Sequence, residues 1–188
     1  GRVTWAHTGE HNVNNALAAL AAAHHIGVQP KDGIAALCEF KGVKRRMELL
    51  AIVGGIAVYD DFAHHPTAIA TTLEGLRGRV GEGRIVALIE PRSNTMRMGV
   101  YKDRLAPATA SADEVIWYQP PGLDWSLDSV IANSPTPARL STDLDRSVSE
   151  LAASLKAGDH LVIMSNGGFG GVHQRVLKAL RSRWEAAE

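Results

Sequence analysis

Three apolar runs in this sequence end abruptly in polar side chains that could bind or move charge. The first end reads Asp60-Asp61-Phe62-Ala63-His64-His65-Pro66-Thr67. Neighbouring residues on a strand point to opposite faces, so only one of the two aspartates can face a given ligand. Pro66 suits the first position of a helix. That sets His64 and His65 just before a helix N-terminus, where free N–H groups and the helix dipole attract anions. A carboxylate such as Asp61 beside that end could accept ribose hydroxyls or hold Mg²⁺ through water. Two aspartates and two histidines so close together also raise a transition-metal site. The spacing is too tight and too strand-like for the usual chelating patterns, so no metal ligand is assigned, and the His7/His11 pair is set aside likewise.

The second end, Glu90-Pro91-Arg92-Ser93-Asn94-Thr95-Met96, presents Arg92 as a carboxylate receptor, with a plain surface turn as the alternative. The third is Met164-Ser165-Asn166-Gly167-Gly168-Phe169-Gly170-Gly171, whose glycines let backbone approach a ligand closely. This run does not fit G-x-G-x-x-G in any register, and no acidic residue about 20 positions later ends a second strand, so a nicotinamide dinucleotide is rejected. Two further runs lie upstream. In Gly9-Glu10-His11-Asn12-Val13-Asn14-Asn15, the side chains of His11, Asn12 and Asn15 share one face of a helical turn. An amide that both donates and accepts matches the edge of adenine, and helix capping is the competing reading. In Gly42-Val43-Lys44-Arg45-Arg46, Arg45 or Arg46 could clamp phosphate, or the segment is a solvated linker.

These residues need elements to hold them. Residues 12–25, dense in Ala and Leu, predict a helix, and Pro30 to Glu39 predict a second. Runs rich in β-branched residues at 56–59, 85–89, 115–118 and 161–164 predict strands. Between and after them, Ile69, Thr72, Leu73 and Leu76 follow helical spacing. So do Leu144, Val148, Leu151 and Leu155, and Val176, Leu177, Leu180 and Trp184. The alternation predicts an α/β, Rossmann-like, mostly parallel sheet with helices on both faces, preceded by a short helical piece. The boundary is placed at the basic run, giving 1–42 and 43–188. Residues 119–137, with Pro120, Pro121, Pro135 and Pro137, predict an irregular surface excursion. Ligands of such sheets bind beyond the carboxyl ends of the strands, where the three polar ends converge.

Composition excludes several classes. Lys+Arg and Asp+Glu are equal at 20 each, which leaves no basic field for nucleic acid or an anionic membrane. No apolar run approaches the roughly 20 residues of a membrane span. The lone Cys38 rules out an internal disulfide, suits a reducing cytoplasm, and reads as a small buried hydrophobe in an Ala/Leu-rich stretch. The chain starts with Gly1 and no signal peptide, which reads as a piece of a longer protein.

Taken in order, G-E-H-N-V-N-N, G-V-K-R-R and D-D-F-A-H-H-P-T resemble the Mur ligase family of peptidoglycan biosynthesis, in its muramate-ligase branch, over nearly the whole chain. The resemblance implies that 1–42 is the end of a central ATPase domain and 43–188 an acceptor-binding C-terminal domain of a bacterial, cytoplasmic enzyme. It implies ATP and Mg²⁺ as cofactors, with UDP-N-acetylmuramate and an amine acceptor as substrates. An acyl phosphate forms on the muramate carboxylate and is attacked by the amine. E-P-R-S-N-T-M and M-S-N-G-G-F-G-G resemble the members that take a recycled acidic tripeptide, L-Ala-γ-D-Glu-meso-diaminopimelate, rather than those that take L-alanine. By the same carry-over His11, Asn12 and Asn15 surround adenine, and Arg45 or Arg46 meets phosphate. Asp61 meets ribose, and His64 lies near the reacting groups with Arg46. Arg92, Ser93, Asn94, Ser165, Asn166 and Phe169 hold the peptide. No G-x-x-x-x-G-K-[ST] phosphate loop occurs, so this chain alone is expected to turn nothing over without the N-terminal and central domains. A non-catalytic nucleotide- or peptide-binding module and a metal-dependent hydrolase remain the rival readings.

Overall fold

Strands rich in Ile, Val and Leu, apolar on both faces, are stable only between two layers of helices. The computed structural model has that arrangement. It describes residues 1–123 and 125–185; the side chains of Asn94 and Arg97 fall outside the description. Six strands, β1 (Glu48–Val53), β2 (Ile56–Asp61), β3 (Ile85–Ile89), β4 (Glu114–Tyr118), β5 (Ala138–Ser141) and β6 (His160–Met164), form one sheet in the order β1-β2-β6-β3-β4-β5. β1 runs antiparallel to β2, joined through Gly54 and Gly55, both at positive φ as a tight hairpin requires. The other four pairings are parallel.

Alternation along the strands divides the core. Tyr59, Ala87, Ile89, Trp117, Val162 and Met164 point to one face, where Ile69, Leu73 and Leu76 of α3 (Pro66–Val80) cover them. Val58, Val86, Leu88, Ile116, Leu161 and Ile163 point to the other, beneath α7 (Leu144–Ser154) and α8 (Val172–Glu185). The helical spacings read from the sequence are the buried faces of α3, α7 and α8. Three short helices, α4 (Asn94–Arg97), α5 (Lys102–Leu105) and α6 (Asp128–Ala132), fill the connections.

Four expectations change. Two strands, β1 and β5, are not among those expected, although β1 holds an apolar run at 49–53. They are the sheet edges, where Leu49 and Ile52 are exposed and Arg139 is tolerated, so burial on one side no longer selects their residues. The Pro-rich stretch contains α6 and packs Leu127 and Val130 into the core, so it is not wholly irregular. The first helix, α1, begins at Glu10 rather than residue 12 (Glu10–His25). Cys38, on α2 (Pro30–Glu39), is exposed rather than buried, because neither α1 nor α2 has a sheet beneath it; α1 buries Ala16 alone and α2 nothing.

Residues 1–42 meet the sheet domain by backbone contact. A Cβ on Gly75 of α3 would lie 3.2 Å from the Cα of Gly9, tighter than ordinary van der Waals contact. Gly75 therefore costs helix propensity but admits the strand-like approach to α1. Gly75→Ala is expected to raise hydrogen exchange at amides 8–15 while β2 and β6 stay protected. Unchanged exchange at 8–15 would show that the contact does not seat α1.

Candidate functional site

The register fixes which polar ends meet. Asp61 pairs with Met164, and Met164 pairs with Ile89, so the carboxyl ends of β2, β6 and β3 lie side by side. Backbone bonds extend past the strands: Ser165 N–H donates to the Asp61 carbonyl (3.1 Å) and Glu90 N–H to the Met164 carbonyl (2.9 Å). The three motifs thus share one edge, as their positions in the sequence imply.

Asp60 and Asp61 diverge as alternation demands. Asp61, on the α3 face, is 2% exposed. Its Oδ2 accepts the Met47 N–H (2.7 Å), and its Oδ1 accepts the Ala63 N–H (2.7 Å) and the Thr72 hydroxyl (3.4 Å). Burial raises its pKa above the ordinary value; the two backbone N–H groups, the Arg46 charge and Thr72 oppose that. Asp61 lines a cavity of about 320 Å³ with His11, Asn12, Asn15 and Arg46. Four residues from two separate motifs thus surround an aspartate from a third. The capping reading of the asparagines fails, because Gly9 is the N-cap and no side chain caps the helix. Asn12 Nδ2 instead donates to the Thr8 carbonyl (2.6 Å). An adjoining groove of about 490 Å³ is bordered by Lys41, Lys44, Arg46 and Arg79, with Glu48 opposed.

Asp60 faces the other way. It accepts from Arg45 Nε (3.1 Å to Oδ2), while His173 Nε2 of α8 lies 3.1 Å from its Oδ1 without being aligned for a hydrogen bond. Arg45 and Arg46 therefore separate: the first is drawn into the sheet edge and the second lines the cavity. Phe62 lies between them, with both guanidiniums over its ring at 5.2 and 5.7 Å and the His64 ring edge-on at 5.5 Å. No expectation attached to Phe62; its one sequence signal was its position between the aspartates and the histidines. His64 is not among the residues lining the cavity. Its Nδ1–H donates to the Phe62 carbonyl (2.9 Å), which leaves the Nε2 lone pair available in the neutral ring. His65 caps α3 by accepting the Thr67 N–H (3.3 Å).

At the third edge, Arg92 is exposed and lies against Gly167, where a methyl would overlap its guanidinium. Ser165 and Phe169 are buried. The Ser165 hydroxyl donates to buried Glu90 (2.5 Å) and accepts the Gly167 N–H (2.9 Å), and Phe169, at φ 42°, packs on Tyr118. In this conformation both shape the loop rather than face solvent. Asn166 Oδ1 is buried and accepts no hydrogen bond among the described residues. Ser93 Oγ accepts the Met96 N–H (3.4 Å), and the Asn94 side chain lies outside the described residues.

A family model, the Mur ligase glutamate ligase domain, matches residues 45–167. The chain belongs to the Mur ligase family. It is 49% identical, over its whole length, to the UDP-N-acetylmuramate–L-alanyl-γ-D-glutamyl-meso-2,6-diaminoheptandioate ligase of Escherichia coli, of which it spans 41%. A solved murein peptide ligase from Psychrobacter arcticus is 50% identical with a TM-score of 0.75, across 95% of this chain and 38% of that one. The UDP-N-acetylmuramate–L-alanine ligase of Clavibacter sepedonicus is 36% identical over 92% of the chain. The chain thus spans about two-fifths of the length of these Mur ligases. Among the described residues, no group of three or more His, Cys, Asp or Glu side chains could hold a metal ion, and no helix is long and apolar enough to cross a membrane.

Two histidines make this Mur ligase domain sensitive to acid. Burial lowers the pKa of His173, with Asp60 opposing and Arg45 adding to the effect. Burial, and then Arg79, lower that of His160. The unfolded chain therefore takes up protons first as pH falls below the ordinary value of 6.5, and their contribution to stability is lost from there downward. The urea midpoint is expected to fall between pH 7.5 and 5.5 and to fall less in His173→Gln; an identical slope in that variant would remove His173 as a cause.

Proposed function

We propose that this chain is the C-terminal part of an ATP-dependent ligase that joins UDP-N-acetylmuramate to L-Ala-γ-D-Glu-meso-diaminopimelate. The observation that carries this reading is the 49% identity across the entire chain to a ligase of that name, against 36% to an L-alanine ligase. Residues 1–42 are assigned to the end of the ATP-binding domain and 43–188 to the acceptor domain.

The cavity around Asp61 fits a nucleoside better than a whole nucleotide, since about 320 Å³ is near the lower limit of ligand sites. In this reading His11, Asn12 and Asn15 border the base. Asp61 Oδ2 keeps lone-pair capacity for a ribose hydroxyl after accepting the Met47 N–H, whereas Oδ1 is taken by the Ala63 N–H and the Thr72 hydroxyl. Arg46 stands where the cavity opens into the basic groove and would meet phosphate. Mg²⁺ finds no ligand set here: no group of acidic or imidazole side chains converges among the described residues, and the Asp61 carboxylate is tied to backbone. No step is therefore assigned to a metal held by this chain.

The reaction has two displacements. A muramate carboxylate oxygen attacks the γ-phosphorus of ATP, the bond to the bridging oxygen breaks, and ADP leaves. The acceptor's amine nitrogen then attacks the acyl carbon, inorganic phosphate leaves, and the amine proton is lost. Positioning and charge neutralisation carry most of the catalysis in phosphoryl transfer. Arg46 contributes charge, and the neutral His64 ring, whose Nε2 lone pair is left available by the Nδ1–H bond to the Phe62 carbonyl, is suited to receive the amine proton. Arg92, against Gly167 of the Gly-rich loop, meets an acceptor carboxylate; Ser93, Asn94 and Asn166 are assigned to the same acceptor, and Ser165 and Phe169 to the shape of the loop. A tripeptide with several carboxylates suits that edge better than alanine does.

In the full-length enzyme, Arg46→Ala is expected to raise the KM for ATP about 10–100-fold and Arg92→Ala that for the tripeptide by a similar factor, each corresponding to a lost charge-assisted hydrogen bond. Steady-state kinetics with tripeptide and with L-alanine provide the check. Equal use of L-alanine would replace this reading with the alanine ligase.

A further inference from the structure

We propose that Arg45 is a positioning residue of the acceptor loop and not a ligand of phosphate. Its guanidinium reaches across the sheet edge from the segment that joins α2 to β1. Nε donates to Asp60 at 3.1 Å, and Nη2 donates to the carbonyls of Ser165 (2.6 Å) and Gly167 (3.0 Å). Those N–H groups are consumed within the domain, so only Nη1 remains for an incoming anion, which loses the paired geometry that makes arginine a good phosphate receptor.

The backbone of Arg45 is held as firmly as its side chain. Its φ is 59°, a left-handed conformation that a non-glycine residue keeps only when its surroundings impose it. Its N–H donates to Glu48 Oε2 (2.8 Å), and its carbonyl accepts the Phe62 N–H (2.8 Å). The far end of the link is equally specific. The Gly167 carbonyl is held by Arg45, and the exposed Arg92 guanidinium lies where a Cβ on Gly167 would point, so a side chain there would displace it. Arg45 thus sets the height of the backbone on which Arg92 rests. Asp60 supplies the counter-charge that lets a guanidinium sit half-buried there, with His173 of α8 on its other oxygen. Arg45 and Arg46, adjacent in sequence, serve opposite subsites: Arg46 the nucleotide cavity, Arg45 the peptide edge through Ser165 and Gly167.

The role of the loop as acceptor site rests on the proposed function; the clamp itself does not. Arg45→Lys keeps a charge for Asp60 but cannot fork onto two carbonyls, so it tests the clamp without stripping the ion pair. In this chain, amides 166–171 are expected to exchange faster in Arg45→Lys, with β2 and β6 unchanged. In the full-length enzyme, the KM for the tripeptide is expected to rise on the order of tenfold while that for ATP stays within about twofold, the reverse of Arg46→Ala. A rise in the ATP KM alone, or unchanged exchange at 166–171, would overturn the proposal. If the wild-type enzyme fails to use the tripeptide, the acceptor reading falls, and the exchange result by itself decides whether Arg45 holds the loop.

Discussion

Along β2 the backbone hydrogen-bonds to β1 on one side and to β6 on the other, and the pleat of the strand so held sends Asp60 and Asp61 to opposite faces of the sheet. Everything at the site follows from this divergence. One carboxylate enters the cavity beneath α1, held by the Met47 and Ala63 N–H groups. The other turns towards α8, where Arg45 and His173 meet it. A single dipeptide thereby anchors two subsites that a side chain pointing one way could not serve. The insertion of β6 between β2 and β3 completes the arrangement by bringing the Gly-rich loop beside both aspartates.

The arrangement is consistent with a domain whose work is to position rather than to react. Both Asp61 oxygens are tethered, Ser165 is locked to Glu90, and Arg45 is clamped. Among the described residues, Arg46, Arg92 and the Nε2 side of His64 keep free hydrogen-bonding capacity, and they lie around the edge of the sheet rather than in its core. In the proposed acyl transfer that division has a use: buried groups fix the backbone geometry, and a few exposed cations are left to meet anionic groups. Phe62 has a part in this economy of shape, since its ring carries both guanidiniums and the His64 edge.

Much of this was legible in the residues. The four central strands are apolar throughout because both faces are covered, and the covering helices repeat their apolar residues at helical spacing, so periodicity alone locates them. The edge strand β5 is only Ala138-Arg139-Leu140-Ser141, too short and too polar to stand out, whereas β1 carries an apolar run at 49–53, whose Leu49 and Ile52 are exposed only because the strand lies at the sheet edge. Cys38 misled because the composition of α2 is that of a buried helix, whereas burial depends on what lies beside it. At the site, the polar strand ends announced themselves by sharp changes in polarity. Phe62 did not, because an aromatic residue between polar neighbours has no chemistry of its own until cations are stacked on it.

The sequence by itself determined the type of the four central strands and of the long helices, the alternation of faces at Asp60-Asp61, and the position of Pro66 at the start of a helix, since these depend only on local backbone geometry and steric preference. It also carried the motifs that mark the chain as a Mur ligase. Tertiary structure alone decided that the last strand lies in the middle of the sheet, that Gly75 admits the backbone of Gly9, and that of two adjacent arginines one is drawn inward and one lines the cavity. Those outcomes rest on contacts between residues as much as 122 positions apart, such as Arg45 with Gly167, and no local propensity can encode a partner that only folding brings within reach.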